Sequence, residues 1–222
     1  MTPSTPFRDL TLDAFVRRLA SAEPVPGGGS AAAVAASLAG GLVAMVAALS
    51  ENRPKYAAHA ALHAEAGSSA RALADRFLAL ADEDAAAYAG FGAAMKMPRE
   101  TAAEQAARAG AIRQAARAAS QVPFRTVEAC RDVVVLAEAL AGRSNRNAAS
   151  DLEVACLLSV AAARAAAANV YVNLPAIEDE AVARDLRTRT ELLVIEVERF
   201  ADRTHEVVQG GESREPLGAE QA

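Results

Sequence analysis

The chain has 222 residues, of which 52% are hydrophobic, enough to bury the core of one large helical domain or two small ones. Acidic residues outnumber basic ones, 28 to 23, and only 4% of residues are aromatic. This composition argues against a nucleic-acid-binding protein, which typically has a surplus of basic residues and aromatic side chains that stack on bases. Charges run through the first twenty positions, so no secretory signal is expected. We expect a cytoplasmic protein, with Cys130 and Cys156 as reduced core thiols.

The first part of the chain is predicted to form a flexible arm over 1–10 and a short helix capped by Thr11. A Pro- and Gly-rich loop comes next, followed by a helix of small residues over about 29–52. The loop contains three consecutive glycines, Gly27, Gly28 and Gly29. These glycines are expected to take positive φ angles and to approach a ligand closely. The free N–H groups at the start of the helix, near Ser30, are expected to favour an anionic group.

The segment between Glu23 and Glu51 contains no charged residue and consists mostly of Ala, Gly and Ser. Because such a helix has no polar face to give to water, other helices or another subunit must cover it. A bilayer span takes about 20 apolar residues, and the segment is long enough. Its small residues and the lack of an aromatic belt or basic flank favour a close-packed core helix instead. We therefore expect no membrane association, and the tightest crossing at Gly40 and Gly41.

The remaining sequence is predicted to be helical. Breaks separate helical patterns over about 57–97, 101–121, 123–142, 150–174 and 179–208. Val122-Pro123 either kinks one helix or starts a new one, and Ser150 is expected to cap the helix after the polar connector. The prediction is an all-α, single-domain bundle of about six or seven long helices over 11–209, with a disordered tail over 210–222.

One acidic residue falls on the apolar face of the long helix predicted over 57–97. At about 100° per residue, Asp84 lies within a stripe formed by Leu73, Phe77, Leu80, Ala81, Tyr88, Phe91 and Met95. Asp82 and Glu83 point away from that stripe. Desolvation raises the pKa of a carboxyl group in such a place, which makes it usable as a general acid or base. The alternative is a buried Asp that bonds a neighbouring helix end or an Arg.

Two asparagines, Asn169 and Asn173, lie four residues apart on one helix face among Ala and Val residues. Because Asn is unfavourable inside helices, the pair indicates a polar pocket, and the alternative is that one or both bond nearby helix termini. Ser150 and Asp151 fit a helix cap followed by an acid in the first turn, and a role in a site is the alternative.

No metal site or nucleotide motif is predicted. His59 and His63 have the spacing of metal ligands, but the segment lacks the Glu of a zinc-protease helix and no cluster of Cys and His follows. The glycine-rich loop lacks the Lys of a phosphate-binding loop and does not follow a strand.

In their order and spacing, the motifs of this chain resemble the formiminotetrahydrofolate cyclodeaminase / methenyltetrahydrofolate cyclohydrolase family. The first motifs are Pro26-Gly27-Gly28-Gly29-Ser30, the trio Arg53, Lys55 and Tyr56, and the group Asp82, Asp84, Ala85 and Tyr88. The later motifs are Pro98-Arg99, Arg108, Val122-Pro123, Asn145, Ser150-Asp151-Leu152, Asn169-Val170 and Asn173-Leu174. Ser144 stands where the family usually has a glycine. The resemblance runs over about 12–200, as in a stand-alone form of the C-terminal domain of formiminotransferase-cyclodeaminase.

The resemblance implies an all-helical homodimer that acts on a one-carbon tetrahydrofolate as its substrate, without a further cofactor or metal. It implies Asp84 as the acid/base or electrostatic group, with Asp151 as a second catalytic candidate. The expected substrate-binding residues are Gly27, Gly28, Gly29, Ser30, Lys55, Asp82, Arg99, Arg108, Asn145, Ser150, Asn169 and Asn173. The three asparagines would orient the pterin, and the basic residues would meet the glutamate carboxylates.

Two reactions fit this resemblance. The first is hydrolysis of 5,10-methenyltetrahydrofolate to 10-formyltetrahydrofolate, and the alternative is cyclodeamination, which releases ammonia from 5-formiminotetrahydrofolate during histidine breakdown. Both pass through a tetrahedral carbon between two nitrogens beside a delocalised cation, so one carboxylate can serve both. The alternative from another class is a non-catalytic folate-binding or scaffold bundle.

Overall fold

The computed structural model describes residues 5–217, so positions 1–4 of the predicted arm and 218–222 of the predicted tail lie outside it. Between residues 5 and 217 the chain forms six α-helices and no β-strand, which confirms the all-α prediction. The helices are α1 (Leu12–Leu19), α2 (Gly28–Ser50), α3 (Ala60–Met95), α4 (Ala102–Leu140), α5 (Ala149–Asn173) and α6 (Glu180–Gly210). Short 3-10 turns lie at Phe7–Asp9, Pro54–His59, Arg146–Ala148 and Leu174–Ile177.

Helix α2 is the central element of the bundle and packs against α3, α4 and α5. Its small residues allow close approach, because a Cβ added to Gly40 would lie 3.1 Å from the carbonyl oxygen of Ala70 on α3. Gly41 faces open space, so only Gly40 marks the predicted tight crossing.

Helix α4 continues through Pro123 as a single helix. Proline has no N–H to donate, so the carbonyl oxygen of Ala119, four residues earlier, loses its usual helical partner. Helix α5 supplies another donor, because Asn173 Nδ2 lies 3.1 Å from this oxygen and donates to it. A proline in α4 thereby fixes the position of a polar side chain at the end of α5.

The prediction that Ser150 caps α5 is wrong. The 3-10 turn over Arg146–Ala148 runs directly into the helix, so Ala148 takes the cap position and Ser150 lies in the first turn. The capping side chain of this region is Asn145, whose Oδ1 accepts from the N–H of Asn147 at 3.2 Å. The observed cap, Asn145, therefore lies five residues before the predicted cap, Ser150.

The apolar stripe of α3 divides into two parts. Phe77, Leu80 and Ala81 are buried in the core, whereas Tyr88 and Met95 are 54% and 47% exposed. The first half of the stripe therefore contributes to the core, whereas Tyr88 and Phe91 of the second half line an open cleft that also contains Asp84.

The described parts of the predicted arm and tail make specific contacts. Phe7 is buried, and its ring makes a T-shaped contact with Phe15 at 5.6 Å between centroids. At the other end, Arg214 forms an ion pair with Glu138 at 2.9 Å, and its N–H donates to the carbonyl oxygen of Gly142. The partners of Arg214 lie far away in sequence, so local composition gives no sign of them.

Two stretches, Gly28–Ser50 and Arg146–Ile177, meet the length and hydropathy of a membrane-spanning helix. Half of the apolar window of the first and 44% of that of the second lie buried inside the bundle. Core helices of soluble proteins meet the same criteria, so this is weak evidence for a membrane span.

Candidate active site

A partly buried acid of α3, Asp84, lies where this helix passes the start of α2. Asp84 Oδ2 accepts a hydrogen bond from Ser30 Oγ at 2.9 Å, and the backbone N–H of Ser30 also stabilises the carboxylate. The first turn of α2 has N–H groups without a helical acceptor and carries the positive end of the helix dipole. The anion expected at this helix end is therefore a side chain of the protein itself.

Ser30 is 0% exposed, so the structure gives it a positioning role in place of the substrate-binding role expected from sequence. Its hydroxyl lies 2.9 Å from Asp84 Oδ2 and 3.1 Å from the carbonyl oxygen of Ala81. The hydroxyl has one proton, which it donates to one acceptor at a time. When Asp84 is protonated, its proton can go to the Ser30 oxygen while Ser30 donates to Ala81. This arrangement accommodates both protonation states.

The loop glycines provide close approach, and the expectation that they take positive φ angles is wrong. In residues 5–217 the glycines with positive φ are Gly142 and Gly211, whereas Gly27 has a φ of −119°. A Cβ added to Gly29 would lie 2.6 Å from Asp84 Cγ, which is closer than real contacts allow. Glycine at position 29 is therefore what lets the carboxylate reach the first turn of α2.

Burial raises the pKa of Asp84 above its ordinary value of 3.8, and the hydrogen bonds from the Ser30 side chain and backbone oppose the shift. The effect of burial is the larger of the two, because desolvation disfavours the charged form. A carboxyl group with a raised pKa exchanges its proton closer to neutral pH, as general acid–base catalysis requires.

Two amide side chains of α5 line the same cleft. Asn169 Nδ2 donates to the carbonyl oxygen of Ala165 at 2.9 Å, and Asn173 Nδ2 donates to those of Ala119 at 3.1 Å and Asn169 at 2.9 Å. Both NH2 groups are thus turned toward backbone carbonyls, and no described residue donates to either side-chain oxygen. Two such acceptors beside a carboxylate suit a ligand edge that carries N–H donors.

These groups belong to one cleft of about 310 Å³. Its lining consists of Pro24, Val25, Gly27, Gly28, Gly29, Asp84, Ala87, Tyr88, Phe91, Ala119, Asn169, Val172 and Asn173. Asp84 is the only charged residue among the described residues of this lining. The cleft is an apolar slot, with aromatic rings on one side, a single acid and two amide oxygens.

Several predicted site residues lie outside the cleft. Asp82 Oδ1 accepts from the N–H of Phe7 at 2.9 Å, so this carboxylate anchors the N-terminal segment. Asn145 lies at the far end of α2, where its N–H donates to Ser50 Oγ at 2.8 Å. Its place beside Ser50 explains why it does not reach the Asp84 cleft of the same chain.

The remaining predicted site residues also lie outside the Asp84 cleft. Ser150 and Asp151 lie in the first turn of α5, and Lys55 lies in the 3-10 turn before α3. Arg108 Nη2 donates to the carbonyl oxygen of Met95 at 3.1 Å and so closes the end of α3. Arg99 is exposed in the connection between α3 and α4.

Of the two histidines with metal-ligand spacing, His59 and His63, the second contacts a backbone carbonyl. The ring Nε2 of His63 lies 2.9 Å from the carbonyl oxygen of Arg143, and the ring is fully buried. Across residues 5–217, no group of three or more His, Cys, Asp and Glu side chains lies close enough together to hold a metal ion.

Sequence reasoning missed the contribution of α4 to the site. The carbonyl oxygen of Ala119 holds Asn173, and Ala119 itself lines the cleft. A usable signal is present in the sequence, because a proline inside a helix frees the carbonyl four residues before it.

Fold and site together define a helical-bundle protein with a cleft whose described lining carries one charged group, the partly buried Asp84 carboxyl. The chain belongs to the formiminotransferase-cyclodeaminase family, whose model matches residues 11–192. It is 35% identical over 199 residues to a methenyltetrahydrofolate cyclohydrolase of Methylorubrum extorquens, and this match covers 90% of this chain and 96% of the relative.

Two further relatives extend the comparison. A formimidoyltransferase-cyclodeaminase of Gallus gallus is 32% identical over 169 residues, covering 76% of this chain but only 31% of that longer protein. The crystal structure of formiminotetrahydrofolate cyclodeaminase from Thermotoga maritima superposes with a TM-score of 0.84 at 25% identity, covering 91% of this chain and 98% of that one.

Replacing Gly29 by Ala is expected to displace the Asp84 carboxylate, because the new methyl group would occupy its place. Misplacing a catalytic group by about 1 Å can cost about 100-fold in rate, so we expect a loss of turnover of at least that order. The matched control is Gly90→Ala in α3, where a Cβ meets nothing within 4 Å and which does not line the cleft. Equal rates for both variants in a folate turnover assay would contradict the role of Gly29.

The Asp84→Asn variant is expected to change how stability depends on pH. Because the folded protein raises the pKa of Asp84 above 3.8, the wild type binds this proton more tightly when folded and loses stability as pH rises through the folded-state pKa. Urea unfolding of both proteins between pH 4 and 8 would measure this. The free energy of unfolding of the wild type should fall relative to the variant with rising pH, and a constant difference would refute a raised pKa.

Proposed function

We propose that this protein hydrolyses 5,10-methenyltetrahydrofolate to 10-formyltetrahydrofolate. The observation that carries the proposal is the charge of the cleft, where Asp84 is the only charged residue among the described lining residues. The substrate carries a delocalised positive charge over N5, the methenyl carbon and N10, and a carboxylate in an apolar slot attracts that charge strongly. The M. extorquens relative is named for this same reaction.

Asp84 would act on the proton that moves during the reaction. Water adds to the methenyl carbon and gives a proton to the Asp84 carboxylate, forming a neutral tetrahedral intermediate. The bond between that carbon and N5 then breaks and N5 receives the proton from Asp84. The hydroxyl of the intermediate loses its remaining proton to water as it becomes the formyl carbonyl. The product keeps its formyl group on N10, and Asp84 returns to its charged state with Ser30 Oγ still 2.9 Å away.

The remaining lining groups would orient the pterin. Its N–H groups fit the free side-chain oxygens of Asn169 and Asn173, and its flat ring fits against Phe91 and Tyr88. Gly27 and Gly28 would close the slot on the opposite wall, because they line it without side chains. We propose that no cofactor beyond the folate itself takes part.

The second candidate function is formiminotetrahydrofolate cyclodeamination, favoured by the structural match to the T. maritima protein of that name. Here N10 attacks the formimino carbon, and Asp84 would give a proton to the departing ammonia. The same slot serves both reactions, because each has a tetrahedral carbon between two nitrogens. A role in histidine breakdown follows only from this second reaction.

A paired absorbance assay tests both functions on the purified protein. Methenyltetrahydrofolate loses its near-ultraviolet absorption band on hydrolysis, and formiminotetrahydrofolate gains this band on deamination. We expect turnover in at least the first assay and a loss of about 100-fold or more in Asp84→Asn, as for removal of a general acid–base group.

The matched control for that assay is Glu83→Gln on the same helix, whose carboxylate pairs with Arg125 at the surface. This variant should keep wild-type rates, because Glu83 does not line the Asp84 cleft. Full activity of folded Asp84→Asn would contradict the mechanism, and no turnover of either substrate by the wild type would contradict the function.

We also propose a homodimer in which a second copy covers α2. Leu38, Met45 and Leu49 are 58%, 38% and 40% exposed along one side of this uncharged helix. A continuous apolar stripe of this kind typically marks an interaction surface. A two-fold axis across α2 would bury the same stripe on both copies.

Leu38→Asp is expected to convert the dimer to a monomer in light scattering after gel filtration, because pairing would bury an uncompensated charge. Leu192→Asp on α6 is the matched control, since Leu192 is 61% exposed on another face. A monomeric wild type at micromolar concentration, or a dimer unaffected by Leu38→Asp, would refute this interface.

A further inference from the structure

A second, smaller cleft lies at the opposite end of the bundle from Asp84. It has a volume of about 70 Å³ between the start of α5 and the end of α6. Helix α2 has 23 residues and so separates its two ends by about 35 Å at 1.5 Å per residue. One water needs about 10–15 Å³ of such cavity volume. This cleft therefore accommodates a group of a few heavy atoms rather than a whole folate.

Two cations line this cleft without an acidic partner. Lys55 and Arg146 both contribute to the lining, and neither forms an ion pair with any residue between 5 and 217. Lys55 Nζ lies 5.4 Å from the ring centre of Tyr56, which orients the ammonium group without neutralising it. Among the described lining residues, the one acid is Glu212, in the segment that follows α6.

Hydroxyl donors lie beside these cations. Ser144 is only 7% exposed and lines the cleft, yet its hydroxyl has no hydrogen-bond partner in the described chain. The Tyr56 oxygen accepts from the N–H of Arg146 at 3.2 Å, so its own proton remains available to a ligand. An unpartnered hydroxyl on a nearly buried residue, in the same lining as two cations, gives the cleft a donor for an acceptor from outside the chain.

The backbone around the cleft also favours a negatively charged ligand. Ala149, the first residue of α5, lines the cleft, so the positive end of this long helix lies beside it. Gly211 has a φ of +66°, and a Cβ added to it would lie 2.8 Å from Arg146 Nη2. Glycine at 211 therefore allows the guanidinium group to lie against the end of α6, at the edge of the cleft.

The C-terminal segment forms the outer wall. The Arg214 N–H donates to the carbonyl oxygen of Gly142 at 2.9 Å, and Arg143 Nε donates to that of Glu215 at 2.6 Å. These bonds hold Glu212 and Ser213 over the cleft.

We propose that this cleft binds an oxyanion, either a carboxylate or a phosphate group, between Lys55, Arg146 and the Ser144 hydroxyl. The charge-assisted donors of Lys and Arg match such a group, and Arg offers two parallel N–H bonds to it. Glu212 opposes the anion and limits its affinity. The two sources of this chemistry are a free phosphate and a γ-linked glutamate chain. The proposal does not depend on the reaction proposed for the Asp84 cleft.

Calorimetric titration of the full chain at low salt tests the proposal with two probes, inorganic phosphate and γ-glutamylglutamate. We expect at least one probe to bind, with the affinity falling about tenfold or more in Arg146→Gln and in Lys55→Gln, as for loss of a charge-assisted bond. Ser144→Ala should weaken binding less, and Glu212→Gln should strengthen it severalfold. Arg184→Gln, which removes an exposed arginine of α6, is the matched control and should bind like the wild type.

Binding of phosphate alone would support the site and identify free phosphate as the source, and binding of the dipeptide alone would identify a glutamate chain. Competition between the two probes would support one shared site. No heat with either probe, or binding unchanged in both Arg146→Gln and Lys55→Gln, would overturn the proposal. Because the readout is binding and not turnover, this result is independent of the folate assays, and thermal melting of each variant verifies its fold.

Discussion

The contact between the Asp84 carboxylate and the first turn of α2 is the interaction on which the rest of the site depends. It requires a glycine at position 29, where any side chain would meet the carboxylate, and a buried serine at position 30 that donates to it at 2.9 Å. The helix dipole and the free N–H groups stabilise the charged form, while burial raises the pKa of the group. These opposing effects keep one acid usable for proton transfer in an otherwise apolar slot.

Three further elements place ligand groups around this carboxylate. Pro123 frees the Ala119 carbonyl of α4, that carbonyl holds the Asn173 amide of α5, and the amide oxygen is left for a ligand. The slot is therefore assembled from α2, α3, α4 and α5 together and exists only when the bundle is packed. The small residues of α2, such as Gly40 against Ala70, make this convergence possible by letting helix backbones approach closely.

Much of this arrangement could be predicted from the sequence, because helical periodicity reports which residues share a face. The position of Asp84 within an apolar stripe and the shared face of Asn169 and Asn173 both follow from a repeat of 3.6 residues per turn. The glycine-rich start of α2 lines the same cleft as Asp84. The periodicity of a single helix does not determine, however, which residues of two different helices come into contact.

The structure places several of the predicted site residues away from the Asp84 cleft of the same chain. Asp82 and Asn145 were grouped with the site, but they bind Phe7 and Ser50 through contacts that are far apart in sequence. The anion expected at the start of α2 is Asp84 itself, because a charged side chain from α3 reaches that helix end first. The unpaired cations Lys55 and Arg146 lie instead at the other end of α2, where the second cleft is found.

The most direct test of the central claim is a crystal structure of the protein with 10-formyltetrahydrofolate bound. The account predicts the formyl carbon in the cleft between α2, α3 and α5, with N5 within about 3 Å of an Asp84 carboxylate oxygen, as proton transfer requires. A folate whose one-carbon unit lies away from Asp84, or at the Lys55 and Arg146 end of the same chain, would contradict it.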